Sequence, residues 1–242
     1  MSGVSPSTCL PASRTPALSV GLLTADWMDL GRQIRGLERL GAPLLHFDVM
    51  DGRFCPLLTL GAPLVRAVKT SMLKDVHLMI EEPLSHLAEF AAAGADLITV
   101  QAESTRHLHR TLQALGTLTN ANDPARGILR GLALNPGTPL QVVEPVIAEL
   151  DVICLLAVNP GWSGQRFIPA TRERAARALD LIRASGRDIL LSIDGGITRA
   201  NIADAVRMGA DIVVTGSAVF DGQDWEENAR QLLQAAAQAK AR

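Results

Sequence analysis

From residue 17 onward, short apolar runs alternate with longer stretches whose apolar positions recur at helical spacing. Runs of about four to eight residues bounded by Gly, Pro, Asn or Asp are the length of buried strands. An apolar position every three or four residues over a longer stretch marks one face of a helix. On this basis strands are predicted at 17–23, 44–49, 75–80, 96–100, 129–134, 152–158, 188–193 and 211–215. Helices are predicted at 26–40, 62–70, 83–93, 104–115, 138–149, 170–185, 198–208 and 224–240. Thr138 with Pro139, and Thr198, stand where helix N-caps are expected. Gly41, Gly94, Gly186 and Gly209 each stand just past a periodic stretch, where helices close.

Strand–helix pairs in series imply parallel strands with right-handed crossovers, and eight of them close a barrel with a filled interior. The expected fold class is therefore α/β, a single-domain (β/α)₈ TIM barrel over 17–242, and the 242-residue length agrees with it. An open doubly wound sheet gives no reason for eight regular units. Residues 1–16 are rich in Ser, Thr and Pro and lack a basic stretch followed by an apolar one. They are expected to be a disordered extension rather than a secretory signal.

Composition narrows the function. A net charge of −2 leaves no basic stripe for a polyanion, and the chain has three Trp, five Phe and no Tyr for base stacking. Nucleic acid is not expected as a partner. No run of about 18 apolar residues suggests a membrane span. Cys9, Cys55 and Cys154 are odd in number, widely spaced and free of any CxxC pattern. That argues against a disulfide framework or a zinc ribbon, and a cytoplasmic location is expected.

Barrel chemistry collects at the C-terminal ends of the strands. There the second strand carries His46 and Asp48 on one face, with Phe47 and Val49 on the other. The third strand carries His77, and the seventh ends in Asp194 before Gly195-Gly196. Singly, each histidine also reads as a satisfied core residue, His77 more often so than not, and each aspartate as a turn residue. Together, two imidazoles and two carboxylates aimed at one mouth would suit a divalent ion such as Zn, Fe, Mn or Co, and the donor set does not select among them. Glycine-rich loops follow three consecutive strands: Gly161-Trp162-Ser163-Gly164, Gly195-Gly196 and Gly216-Ser217. Such loops hold phosphate through backbone N–H groups, or simply make tight turns.

These segments resemble one family closely, the ribulose-phosphate 3-epimerases. The matching stretches are His46-Phe47-Asp48-Val49-Met50-Asp51-Gly52-Arg53-Phe54, Asp75 to Met79, Asn135-Pro136-Gly137-Thr138-Pro139, Asn159 to Phe167, Ile193 to Gly196 and Thr215 to Ala218. The resemblance implies a metal-dependent isomerase of carbohydrate metabolism, placed in the pentose phosphate pathway. Its reaction inverts C3 of a 2-ketose phosphate, D-ribulose 5-phosphate to D-xylulose 5-phosphate, through an enediolate. It implies His46, Asp48, His77 and Asp194 as metal ligands, with Asp48 and Asp194 also the acid/base pair. It implies Met50 and Met79 as the lining of the reacting centre. Gly161, Trp162, Ser163, Gly164, Gly195, Gly196, Gly216 and Ser217 would contact the substrate and its phosphate. It also implies a homo-oligomer.

Four positions depart from the family's usual pattern. Gly21 stands in place of a Ser, Leu57 in place of an Asn, Gln101 in place of a His, and Leu156-Ala157-Val158 in place of Met-Thr-Val. None is a proposed ligand or proton carrier. They leave room for a related substrate such as D-allulose 6-phosphate, or for a non-catalytic phosphate-binding barrel. A metal-free decarboxylase-type barrel would need a lysine at the mouth, and Lys69 and Lys74 fall outside the strand ends.

Overall fold

The computed structural model describes residues 9–10, 16–125 and 127–240. Its strands are β1 Ala17–Gly21, β2 Leu44–Met50, β3 Leu73–Met79, β4 Leu97–Gln101, β5 Leu129–Leu134, β6 Val152–Leu156, β7 Leu190–Asp194 and β8 Ile212–Thr215. Each neighbour pairs in parallel and β8 pairs back to β1, so the sheet closes on itself in chain order. The expected eight-stranded barrel is the observed one.

The α-helices are α1 Leu30–Arg39, α2 Ala62–Ala67, α3 Leu87–Ala92, α4 Leu108–Gly116, α5 Thr171–Ser185, α6 Ile202–Arg207 and α7 Trp225–Lys240. Gly41, Gly94, Gly186 and Gly209 all take left-handed φ, as expected of residues that close helices. The stretch expected as a helix at 138–149 is instead a 3₁₀ segment, Leu140–Glu149. Pro145 lies inside it and offers no N–H, which breaks an α-helical ladder there. Neither threonine is the expected cap. The residue before the 3₁₀ segment is Pro139, and the Thr138 hydroxyl is taken by Glu103. Asn201 precedes α6, and its Oδ1 accepts from the Thr198 N–H at 2.7 Å, the reverse of the expected arrangement.

Alternation divides each strand. Leu18, Val20, Leu45, Phe47, Val49, Val76 and Leu78 face the helices and form the main core. On the inner face, Ala17, Leu44, Leu97, Leu129, Val152, Leu190 and Ile212 form an apolar floor at the N-terminal end of the barrel. Within the stretch expected to be an extension, Leu10 is buried against that floor, and residues 1–8 and 11–15 lie outside the described part.

Candidate active site

Above the floor the same inner positions turn polar. The parallel register sets Asp48 beside His77 and His46 beside Asp75. β7 brings Asp194 to the same mouth, and one donor atom from each of His46, Asp48, His77 and Asp194 lies within 4.8 Å of the others. His46 Nε2 is 3.3 Å from Asp48 Oδ1 and 3.8 Å from Asp194 Oδ2, and His77 Nδ1 is 3.3 Å from Asp194 Oδ2. Both of these ring nitrogens are buried, and neither makes a hydrogen bond among the described residues. A buried polar atom without a partner is costly. Two such atoms facing two carboxylates are a donor set that a divalent cation would satisfy.

Exposure separates the four by type. The His46 and His77 side chains are 3% and 1% exposed, whereas Asp48 and Asp194 are 17% and 15% exposed. The imidazoles are thus held in the wall while the carboxylates reach the cleft. Burial disfavours charge on His46, but Asp75 and Asp48 outweigh it and hold its proton well above the usual imidazole range. Burial raises Asp48, yet His46 and His77 pull it below the usual carboxylate range. Cys154 also points into the barrel. Burial first, then the carboxylates of Asp194, Asp75 and Asp48, push its thiol well up.

Met50 and Met79 are register partners and pack together with Cys55, Leu23 and Phe54 at the rim of the cleft. Cys55 is buried in this cluster, and its thiol is pushed up to about 11, chiefly by burial. Asp51 shapes the rim. Its carboxylate accepts from the N–H groups of Arg53, Phe54 and Glu81, stapling the loop after β2 to the end of β3.

The three glycine-rich loops converge on the other side of the cleft. Gly161, Trp162, Ser163, Gly164, Gly195, Gly196, Gly216 and Ser217 all line it, with Asp48, Asp194, Met50 and Met79. The Gln165 amide braces the first loop, donating to the carbonyls of Asn159 and Trp162 at 2.6 and 3.0 Å. Gly195 and Gly196 have φ of 96° and 67°, and a Cβ on Gly196 would come within 2.6 Å of Phe167 N. Only glycine fits so tight a double turn. Thr215 Oγ1 donates to Ile197 O at 2.9 Å and ties the second loop to the third.

Behind the histidines stand Asp75, which sequence reasoning did not single out, and Gln101, which it noted as a departure from the family pattern. Asp75 Oδ2 lies 2.7 Å from His46 Nδ1 and accepts from Ser19 Oγ at 2.8 Å. Asp75 is two residues before His77 on the same strand face, so alternation alone could have placed it inside. Gln101 touches His77 from β4 at 3.0 Å. Gly21 and Thr24 also line the cleft.

A closed parallel barrel with a His/carboxylate cluster and three glycine-rich loops at its C-terminal mouth is a scaffold on which enzymes build their active sites. The model of the ribulose-phosphate 3 epimerase family matches residues 17–220. The chain therefore belongs to the ribulose-phosphate 3-epimerase family, whose members are isomerases. It is 40% identical over 206 residues to the ribulose-phosphate 3-epimerase of Bacillus subtilis (strain 168), covering 84% of this chain and 91% of that one. It is 38% identical over 232 residues to the putative epimerase LsrE of Salmonella paratyphi A, covering 94% and 90%. Among solved structures, 3-hexulose-6-phosphate synthase from Salmonella typhimurium superposes with a TM-score of 0.61 at 18% identity, covering 92% and 99%. At that identity the likeness is one of fold. Among the described residues no lysine lines the cleft, and Lys74 is buried at the start of β3, where it donates to Val65 O and Ala93 O. No helix among the described residues is long and apolar enough to cross a membrane.

Proposed function

We propose that the protein epimerises C3 of a 2-ketose phosphate, D-ribulose 5-phosphate to D-xylulose 5-phosphate, with a divalent ion held by His46, Asp48, His77 and Asp194. The observation that carries this reading is the convergence of those four side chains, with two imidazole nitrogens buried and without a hydrogen bond among the described residues. Bound there, a divalent ion supplies Lewis acidity to the oxygens next to C3, whose hydrogen is otherwise too weakly acidic for a carboxylate to take.

The chain's own groups do the rest. Asp48 and Asp194 come from β2 and β7, so they approach a substrate in the cleft from different walls. One carboxylate removes the C3 proton from one face. The other delivers a proton to the opposite face, and their roles exchange in the reverse direction. Met50 and Met79 exclude water without adding a competing acid. The loops at Gly161–Gly164, Gly195-Gly196 and Gly216-Ser217 receive the phosphate on backbone N–H groups, which need no net positive charge.

Turnover in D₂O tests the reading. Deuterium is expected at C3 of product formed from ribulose 5-phosphate. Epimerisation that retains the original C3 hydrogen would rule out two-carboxylate proton exchange.

A further inference from the structure

We infer that Gln101 is a positioning residue: its carboxamide, oriented by Glu103, fixes His77 with the proton on Nε2 and leaves the Nδ1 lone pair facing the carboxylates. A neutral imidazole has one donor and one acceptor nitrogen, and the partner of one decides the state of the other. Gln101 is fully buried at the end of β4, and its carboxamide lies 3.0 Å from His77 Nε2. With Oε1 toward His77, the amide nitrogen donates to Glu103 Oε2 at 2.9 Å and to Ala133 O at 3.3 Å. The reverse orientation would press an oxygen against two acceptors. A carboxylate only accepts, so Glu103 selects the first orientation.

Glu103 is held in turn. Its Oε1 accepts from the Asn135 N–H at 2.9 Å and from the Thr138 hydroxyl. Arg174 of α5 clamps the same loop by donating to Thr138 O at 2.7 Å and Asn135 O at 3.1 Å. Every bond in the series from His77 through Gln101 to Glu103 therefore runs toward Glu103. The two histidines are supported differently. His46 is backed through Nδ1 by the carboxylate of Asp75 and presents Nε2, whereas His77 is backed through Nε2 by a neutral amide and presents Nδ1. A glutamine at this position orients the ring without adding a charge behind it.

The proposed effect on ion binding rests on the metal reading above, whereas the ring state is a property of the metal-free protein. Long-range ¹H–¹⁵N spectra of the full metal-free chain, recorded at alkaline pH and assigned with His77→Gln, read the two ring nitrogens directly. The expected result is a proton on His77 Nε2 and none on Nδ1. A proton mainly on Nδ1 would overturn the inference, and this measurement needs no variant of Gln101. Gln101→Met keeps the length and removes the acceptor. It is expected to mix the two ring states and to weaken Mn²⁺ binding, read by calorimetry, by about 10- to 100-fold. Unchanged ring states and Mn²⁺ affinity in that variant would also overturn it. A parent protein that binds no divalent ion while His77 carries its proton on Nε2 would sink the metal reading and leave the role of Gln101 standing.

Discussion

The floor and the mouth of the barrel are built from the same strand faces and have opposite chemistry. Along the inner face β2 reads Leu44, His46, Asp48, Met50 and β3 reads Leu73, Asp75, His77, Met79. β7 reads Leu190, Ser192, Asp194. In each case an apolar residue at the N-terminal end gives way within two positions to groups that can ionise or hydrogen-bond. The floor packs against itself and against Leu10, so its contribution is burial. Among the described residues the mouth leaves two buried ring nitrogens without a hydrogen bond, a cost that the floor and the helix-facing core must offset. This division means that activity and stability can be damaged separately.

The largest separation is expected at the carboxylates. Asp48→Asn and Asp194→Asn should each lower epimerase turnover on the order of 10²- to 10⁴-fold, the usual worth of a proton-transfer group, with the cooperative unfolding transition retained. Steady-state assay beside thermal denaturation checks this, and near-parental turnover in either variant would remove that residue from the acid/base pair. The converse variant is Leu97→Ala. It should cost about 2–5 kcal/mol of stability, as for other fully buried leucines, while kcat at low temperature stays near the parent value. A large fall in kcat without loss of stability would break the division.

A smaller effect concerns protons. Because Asp75 and Asp48 hold the His46 proton well above the usual imidazole range, an incoming ion must displace it. Apparent Mn²⁺ affinity should therefore fall as pH is lowered through and below that raised value, by up to about tenfold per pH unit for one proton. Calorimetry in buffers of different ionisation enthalpy should detect proton release, and pH-independent binding would show that no His46 proton is displaced. The smallest effect is expected at Gly21. A Cβ there would meet Gly216 Cα at 3.4 Å and Asp48 Oδ2 at 3.8 Å, ordinary contact distances. Gly21→Ser should fold with nearly parental stability and place a hydroxyl beside Asp48. Its signature would be a change in KM ratio across a panel of 2-ketose phosphates. An unchanged ratio would show that position 21 does not contact the substrate.

What was legible in the sequence follows from how local each signal is. Strand positions came from apolar runs, and helix ends from glycines whose left-handed φ is a single-residue property. His46, Asp48, His77 and Asp194 were legible because each lies on the inner face of a strand whose partners are set by chain order in a closed barrel. Contacts between distant stretches were not. The Thr138 hydroxyl goes to Glu103, 35 residues away, instead of capping the following segment. Cys55 is buried because its loop folds over Met50 and Met79, which its own neighbours in sequence do not announce. The orientation of the Gln101 carboxamide depends on three acceptors and donors from β3, β5 and the loop after β4.

Anomalous diffraction from a crystal of the chain equilibrated with Co²⁺ would test the central claim most directly. The expected result is one strong peak coordinated by His46 Nε2, His77 Nδ1 and a carboxylate oxygen from each of Asp48 and Asp194. A peak elsewhere, or an occupied mouth in which any of the four turns away from the ion, would contradict it.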